Sequence, residues 1–288
     1  MNSVSRSSPP DLPPVWWNGR LVPESQALVA TTCQGWLWGR GLFETIPVRE
    51  AHPLALTRHL ARFRTGAARL ALQPPDDATL RSAIAGVLTN CPPELHRLRL
   101  TLTGGETPGL GLTPEPGHLL IRRQPAAAPP AESSLVTVPW RRNEFSALSG
   151  LKSTCYAENA IALAWAQAKG ATEALFLNTA GDLCEGAVSN LFLVHGGTVL
   201  TPFPGSGCLP GIARSLILDL CPQLGIPCQE KALVPVELAQ AGEIFLTNSL
   251  HGILPVSTAD QHSLPSPGPV TAALAAALTD LLCRLPDP

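Results

Sequence analysis

The run Gln124 to Ser134, QPAAAPPAESS, constrains the fold most. Proline and alanine without apolar periodicity read as a semi-rigid connector, not as a helix or the interior of a strand. The run splits a chain of 288 residues into two parts, each long enough for a core of its own. The expected organisation is a disordered Ser/Pro-rich tail over 1–14, an N-terminal α+β domain over 15–124, a linker over 125–134 and a C-terminal domain over 135–288.

Within the first part, Val15 to Val22 reads as a hairpin, because Asn18-Gly19 supplies the two positive-φ positions of a type I′ turn. Gly41 to Arg49 reads as a strand that alternates Phe43 and Thr45 against Glu44 and Ile46. Pro47 within it predicts an edge position or a bulge. Leu56, Leu60, Phe63, Ala67 and Leu70 recur at helical spacing, which predicts a helix near 55–72. A second helix is expected to start at Asp76/Asp77, and strands to follow near 96–103 and 117–123. Beyond the linker the pattern predicts strands near 135–139, 174–177, 189–194 and 243–247. Helices are expected near 156–169 (stopped by Gly170), 211–221 and 270–283. Mixed strands and helices with several hairpin signals indicate an α+β fold with mixed sheets, not a doubly wound parallel sheet.

The net charge of −2 offers no basic stripe for nucleic acid. The eight cysteines form no C-x-x-C and no Cys/His cluster of zinc spacing, so no metal site is expected. Buried free thiols in a reducing cytoplasm are the plainer reading. The amino-terminal tail has no apolar core and is not a signal peptide, and no stretch is long enough to span a bilayer. The glycines at 104, 105, 109 and 111 lack the strand–G-x-G-x-x-G–helix context of a nucleotide site.

Charge chemistry is concentrated elsewhere. The chain holds only three lysines, Lys152, Lys169 and Lys231, among twenty basic residues. Lys152 precedes the single tyrosine, Tyr156, by four residues. Lysine can lose its proton and attack a carbonyl, which arginine cannot. A lysine before a helix is more often a solvated surface charge. Glu185 enters an apolar strand beside Gly186, where an unpaired carboxylate would be costly. It is either a turn-side surface acid or the partner of a protonated heterocyclic nitrogen. Gly205 to Arg214 is a Gly/Pro-rich loop feeding a helix start, which is an ordinary loop or an anion site. Phe245-Leu246-Thr247-Asn248-Ser249 runs a strand into hydroxyl and amide donors. A Schiff-base amine, an acid for a ring nitrogen and a phosphate cradle are what pyridoxal phosphate needs together.

In the order and spacing of its motifs the chain resembles the class IV aminotransferase family, the fold-type IV pyridoxal-phosphate enzymes. The motifs are the W-N-G hairpin, G-L-F-E-T at 41–45, R-H-L-A-R-F at 58–63, L-K-S at 151–153 with Asn159, E-G-A-V-S-N at 185–190, C-L-P-G-I-A-R at 208–214 and L-T-N-S-L-H-G-I-L-P-V at 246–256. The resemblance implies a two-domain fold like that of D-amino-acid aminotransferase, with pyridoxal 5′-phosphate between the domains and a homodimer as the working unit. It implies that Lys152 bonds the cofactor and then moves protons. Glu185 would hold the pyridine nitrogen. Arg62, Ile212, Ala213, Asn248 and Ser249 would hold the phosphate. Phe43, Trp38, Tyr156 and His251 would line the substrate side, and Thr45 would be a proton donor.

Within the family, G-L-F-E-T and L-T-N-S-L-x-G-x-x-P-V look most like the aminodeoxychorismate lyase branch. The implied reaction is elimination of pyruvate from 4-amino-4-deoxychorismate to give 4-aminobenzoate for folate. A branched-chain or other class IV aminotransferase and a non-catalytic relative are the alternatives. The chain departs from the family pattern at Arg40, where Asp is frequent, at Ala213, where Thr is expected, and at Pro47, where Arg is common. Pro47 removes a carboxylate ligand, for which Arg40, Arg97 and His251 are the candidate replacements.

Overall fold

Asn18 and Gly19 both take positive φ, 44° and 100°, and turn strand β1 (Val15–Trp17) back onto β2 (Arg20–Val22). This hairpin opens the computed structural model, which describes residues 13–106, 109–111 and 117–288. The expected tail thus lies almost wholly outside the described residues. No described helix is long and apolar enough to cross a membrane.

The first sheet continues with β3 (Gly41–Arg49), β4 (His52–Pro53), β5 (His96–Thr103) and β6 (His118–Pro125). Its order is β2-β1-β6-β5-β3-β4, with every pair antiparallel. A short helix α1 (Gln34–Trp38) leads into β3, and α2 (Leu56–Arg69) and α3 (Asp77–Val87) follow the β3–β4 turn. Asp76 caps α3 by accepting the Thr79 N–H at 2.7 Å, as its position predicts. Helix α2 has no such cap of its own. Ala55 stands at its start in the left-handed region, and the distant Asp287 accepts from Thr57 N–H instead. Leu60, Phe63, Ile46, Leu98, Leu100 and Ile121 meet in one apolar core between the helices and the sheet.

Pro47 sits in β3 without a bulge, since the register with β5 is unbroken from Gly41↔Thr103 to Val48↔His96. The reason is directional. The Pro47 carbonyl accepts from Leu54 N–H on the side away from β5, so the missing amide of Pro47 also faces away from the ladder. That side of β3 carries only the two-residue β4 at one end. Along the remainder lies the segment 152–154: Phe43 N–H donates to Lys152 C=O at 2.9 Å, and Thr154 N–H to Gly41 C=O at 2.8 Å.

Strand β6 ends at Pro125 and β7 (Ser133–Arg142) starts a second sheet, so the connector is shorter at both ends than the sequence suggests. Its further strands are β8 (Glu173–Asn178), β9 (Leu183–Gly186), β10 (Asn190–His195), β11 (Thr198–Pro202), β12 (Cys228–Lys231), β13 (Glu243–Asn248), β14 (Gly252–Ala259) and β15 (His262–Ser263). The nine strands run in the order β12-β11-β10-β13-β14-β7-β8-β9, with β15 on β14. The pairs β11/β12, β14/β7 and β7/β8 are parallel and the others antiparallel. Helices α4 (Ala157–Ala168), α5 (Ile212–Gln223), α6 (Pro235–Gln240) and α7 (Pro269–Arg284) complete the fold. Phe192 and Phe245 stack at 4.7 Å in the core that β10 and β13 share with α5 and α7. The architecture is α+β with mixed sheets.

Candidate active site

A cavity of about 540 Å³ opens between residues of both sheets. It is lined by Phe43, Thr45, Arg62, Lys152, Tyr156, Glu185, Ile212, Ala213, Asn248, Ser249 and His251, which the sequence singled out. Trp38 is not among its lining residues; it is the last residue of α1, half-buried, and Gly39 in the left-handed region turns the chain away from the helix after it. Arg40 is not there either. It is buried, and its guanidinium is spent on the Leu70 and Ala71 carbonyls at 3.1 and 2.8 Å and on Gln34. As a carboxylate ligand it is therefore excluded; it ties β3 to the end of α2.

Lys152 reaches the cavity because its backbone is stitched to the open side of β3 at the level of Phe43. Its ammonium nitrogen lies 4.5 Å from the Phe43 ring centre and 5.6 Å from that of Tyr156. Burial first, then the charge of Arg62, brings its pKa down to about 8, with Glu44 opposing. A neutral amine is thus accessible near physiological pH. Tyr156 donates to Ala187 C=O at 3.2 Å, and burial pushes its phenol up to about 12.

Glu185, in β9, is buried with one carboxylate oxygen 2.8 Å from Leu209 N–H and the other 3.2 Å from Arg142 Nε. Burial raises its pKa, and Arg142 opposes this. Arg142 also pairs with Glu158 and lies 4.2 Å over the Phe176 ring. The loop after β9 is held from below by Glu173. This buried carboxylate accepts from Ala187 N–H, Val188 N–H and the Ser189 hydroxyl.

The anion end is built from α2, α5 and the end of β13. Arg62 is gripped by Glu44, Nε to Oε1 at 2.8 Å and Nη2 to Oε2 at 2.7 Å, and it donates to Pro210 C=O at 3.0 Å. Glu44 also accepts the Nδ1 of His59 at 2.7 Å. Glu44 is buried, yet Arg62 and His59 bring its pKa down to about 2 against that burial, while burial lowers the pKa of His59. Helix α5 begins at Ile212 with no side-chain cap, leaving its first amides directed outward. The Asn190 amide donates to Leu209 C=O at 2.8 Å, and a Cβ on Gly211 would run into that same side chain. Asn248 Oδ1 accepts from His251 N–H at 2.9 Å, which closes the turn after β13. Thr247 Oγ1 is buried at the cavity and has no hydrogen-bond partner among the described residues.

The opposite wall is cationic. Cross-strand register places Arg99 opposite Thr45 and Arg97 opposite Pro47, on the face that carries Phe43. Both arginines line the cavity, and the Arg99 guanidinium lies 3.7 Å from the Phe43 ring centre. Sequence reading found Arg97, and Thr247 as one of the donors at the end of β13, but missed Arg99, Arg141, Arg142, Glu44 and His59. Glu44 had a legible signal: an acid between Phe43 and Ile46 on a strand, followed by His-x-x-Arg on the next helix.

A family model described as amino-transferase class IV matches residues 41–259. Among curated proteins, D-alanine aminotransferase of Bacillus licheniformis is 28% identical over 276 residues, covering 92% of this chain and 95% of that one. Other curated relatives are named branched-chain-amino-acid aminotransferases. Among solved structures, the branched-chain aminotransferase of the thermophilic archaeon Thermoproteus uzoniensis, with norvaline, superposes with a TM-score of 0.89 at 28% identity, covering 93% of this chain and 94% of that one. A putative 4-amino-4-deoxychorismate lyase from Legionella pneumophila gives 0.84 at 28% identity, covering 89% of this chain and 96% of that one. Further structural relatives are branched-chain amino acid aminotransferases solved with N-(5′-phosphopyridoxyl)-L-glutamate and with pyridoxamine 5′-phosphate. The family depends on pyridoxal 5′-phosphate. The match runs from the start of β3 to the end of β14 and includes every residue that lines the cavity, and the chain belongs to the class IV aminotransferase family.

Proposed function

We propose that the protein is a pyridoxal-phosphate-dependent lyase that eliminates pyruvate from 4-amino-4-deoxychorismate and releases 4-aminobenzoate. The observation that carries this reading is the cationic wall. The substrate carries two carboxylates, and Arg97 and Arg99 supply two guanidinium groups on the cavity face where Pro47 supplies none.

The residues present fit the cofactor. Thr247 Oγ1 is a buried hydroxyl with no partner among the described residues, the start of α5 is uncapped, and Arg62, tied to Pro210 just before that helix, lines the same cavity. Arg62, the amides of Ile212 and Ala213, Thr247, Asn248 and Ser249 would hold the phosphate. Glu185 would hold the ring nitrogen, and Lys152 would bond the aldehyde carbon. Bound there, pyridoxal phosphate supplies an electron sink for the carbon that bears the substrate amine.

The protein's own groups then have simple tasks. Lys152, near neutrality in its proton affinity, takes the C4 proton of the substrate. Thr45, on the same face as Arg99, gives a proton to the departing enolpyruvyl group as the C3–O bond breaks. Arg97 and Arg99 hold carboxylates. Phe43 and Tyr156, 5.2 Å apart edge to face, limit water around the Lys152 nitrogen.

The second reading is an aminotransferase, favoured by the names of most curated relatives. One experiment separates the two. Holoenzyme is mixed with aminodeoxychorismate or with amino acids, and its visible spectrum is followed together with product. Release of 4-aminobenzoate with the cofactor band restored supports the lyase. Conversion of the cofactor to its amine form by an amino acid, with no 4-aminobenzoate, overturns it in favour of the transaminase.

A further inference from the structure

Cross-strand register sets Phe176 of β8 directly opposite Glu185 of β9. Strand β7 runs parallel to β8 on its other side and ends at Arg142, level with Asn178. From there the Arg142 side chain lies across the Phe176 ring, 4.2 Å from its centre, and carries its guanidinium over to Glu185. Nε stands 3.2 Å from one Glu185 oxygen, while Leu209 N–H holds the other at 2.8 Å. Both side chains are largely buried, 13% and 12% exposed, and both line the cavity. Nη1 of Arg142 is taken by Glu158 of α4. Nε and Nη2 are buried and make no hydrogen bond among the described residues. Arg142 therefore acts on Glu185 as charge on charge, held in place by an aromatic face.

Burial favours the neutral form of Glu185, and the largest opposing influence is the charge of Arg142. The other groups that face Glu185 do not replace it. Leu209 offers only an amide dipole. Lys152 also favours the charged carboxylate, but its own charge changes as it attacks a carbonyl and moves protons. Glu158 is an acid and works the other way. The Tyr156 phenol and the Cys184 and Cys208 thiols are driven toward their neutral forms by burial first. A guanidinium keeps its proton throughout, so Arg142 is the constant countercharge in this group.

We propose that Arg142 is a positioning residue for the cofactor's ring: by keeping Glu185 charged at the cavity wall, it keeps a proton on the ring nitrogen. The power of the ring to take up electrons depends on that proton. The inference rests on the reading of Glu185 as the partner of the ring nitrogen, and it is the same for a lyase or a transaminase.

The test loads the protein with pyridoxal phosphate that carries the heavy nitrogen isotope in its ring. The nitrogen chemical shift is read at pH 7, since protonated and bare pyridine nitrogens resonate far apart. Glu185→Gln gives the reference for loss of the acid. The wild-type signal should lie in the protonated range. Arg142→Met should move it most of the way to the Glu185→Gln position and weaken cofactor binding by about tenfold, the scale of one lost charge-assisted contact. Arg142→Gln, which keeps donors but loses the charge, should do the same and serves if the methionine variant does not fold. Arg142→Lys restores the charge and should return the signal to the wild-type range. A purely structural role would lower the unfolding midpoint and leave the signal of the folded holoenzyme where it was. If Glu185→Gln shifts the signal and neither neutral Arg142 variant does, this inference falls and the reading of Glu185 stands. A shift that Arg142→Lys fails to recover assigns the effect to packing on Phe176 and also overturns the inference. A wild-type signal in the bare-nitrogen range, or one that Glu185→Gln leaves unmoved, overturns the reading of Glu185 and this inference with it.

Discussion

The two ends of the cavity treat their arginines differently. At the anion end Arg62 is bound bidentately by Glu44, which is itself held by His59, so the guanidinium has one orientation before any ligand arrives. At the far wall Arg97 and Arg99 face the cavity without an acid. The first arrangement suits a ligand that is always the same and should find its contacts preorganised. The second suits a ligand that comes and goes, because an internal acid would compete with its carboxylates. Placement makes the difference: Glu44 and Thr45 are adjacent in sequence, but strand alternation sends one to the clamp and the other to the cavity wall.

The largest expected effect is at the residue both ends share. Lys152→Met should lower turnover by about a thousandfold or more, as loss of the proton carrier demands. The same change should stabilise the cofactor-free protein. The lysine pKa falls from 10.5 to about 8 on folding, so burying its charge costs at most about 3 kcal/mol below pH 8, less for partial exposure. That cost disappears as pH rises to 10.5. Thermal melts of wild type and variant should therefore differ at pH 7 and converge above pH 10.5; parallel curves would contradict the depressed pKa.

Next in size is the clamp. Glu44→Gln strands Arg62 beside a neutral amide and should cost about 3 kcal/mol in urea unfolding, with weaker cofactor binding by fluorescence titration. Since Glu44 has its pKa lowered to about 2, its contribution is complete above its unfolded value of 4.5 and is lost only as pH falls through 2. Stability from this source should be flat between pH 5 and 8. A slope there that vanishes in Glu44→Gln would assign the clamp wrongly.

Smaller again is Gly211→Ala. The added Cβ displaces the Asn190 side chain that secures Leu209, and so loosens the loop that also carries the Glu185 contact. Cofactor affinity should fall by about tenfold, as for one or two weakened hydrogen bonds, with little change in unfolding midpoint. Least of all, Lys231→Ala, which removes an exposed pair with Glu237 at 2.8 Å, should change stability by about 0.5 kcal/mol or less and leave both ends of the cavity untouched.

Local signals made much of the fold legible. Asn18-Gly19 marked the first turn, Asp76 the start of α3, and the apolar spacing from Leu56 to Leu70 the helix that bears Arg62. Short strands with little periodicity, such as β9 and β12 with four residues each, were not legible, since pairing across long sequence separations defines them. The same limit applies to the site. The motifs brought Lys152, Glu185 and the loop before α5 into view. The opposition of Arg97 to Pro47 is fifty positions away in sequence, and only the β3–β5 register reveals it. Arg142 is half of an unremarkable basic pair in the sequence, and only β7 and β9 put it beside Glu185.

The hydrogen bonds between 152–154 and β3 make the lysine a guest on the edge of a sheet that is otherwise built from the opposite half of the chain. Its position does not depend on the covalent path through 126–132. A protease that nicked this exposed connector would leave two fragments annealed along β3, with Lys152 still in register. The protein is therefore a natural subject for fragment complementation: two separately expressed pieces that regain the cofactor's colour only when that edge re-forms.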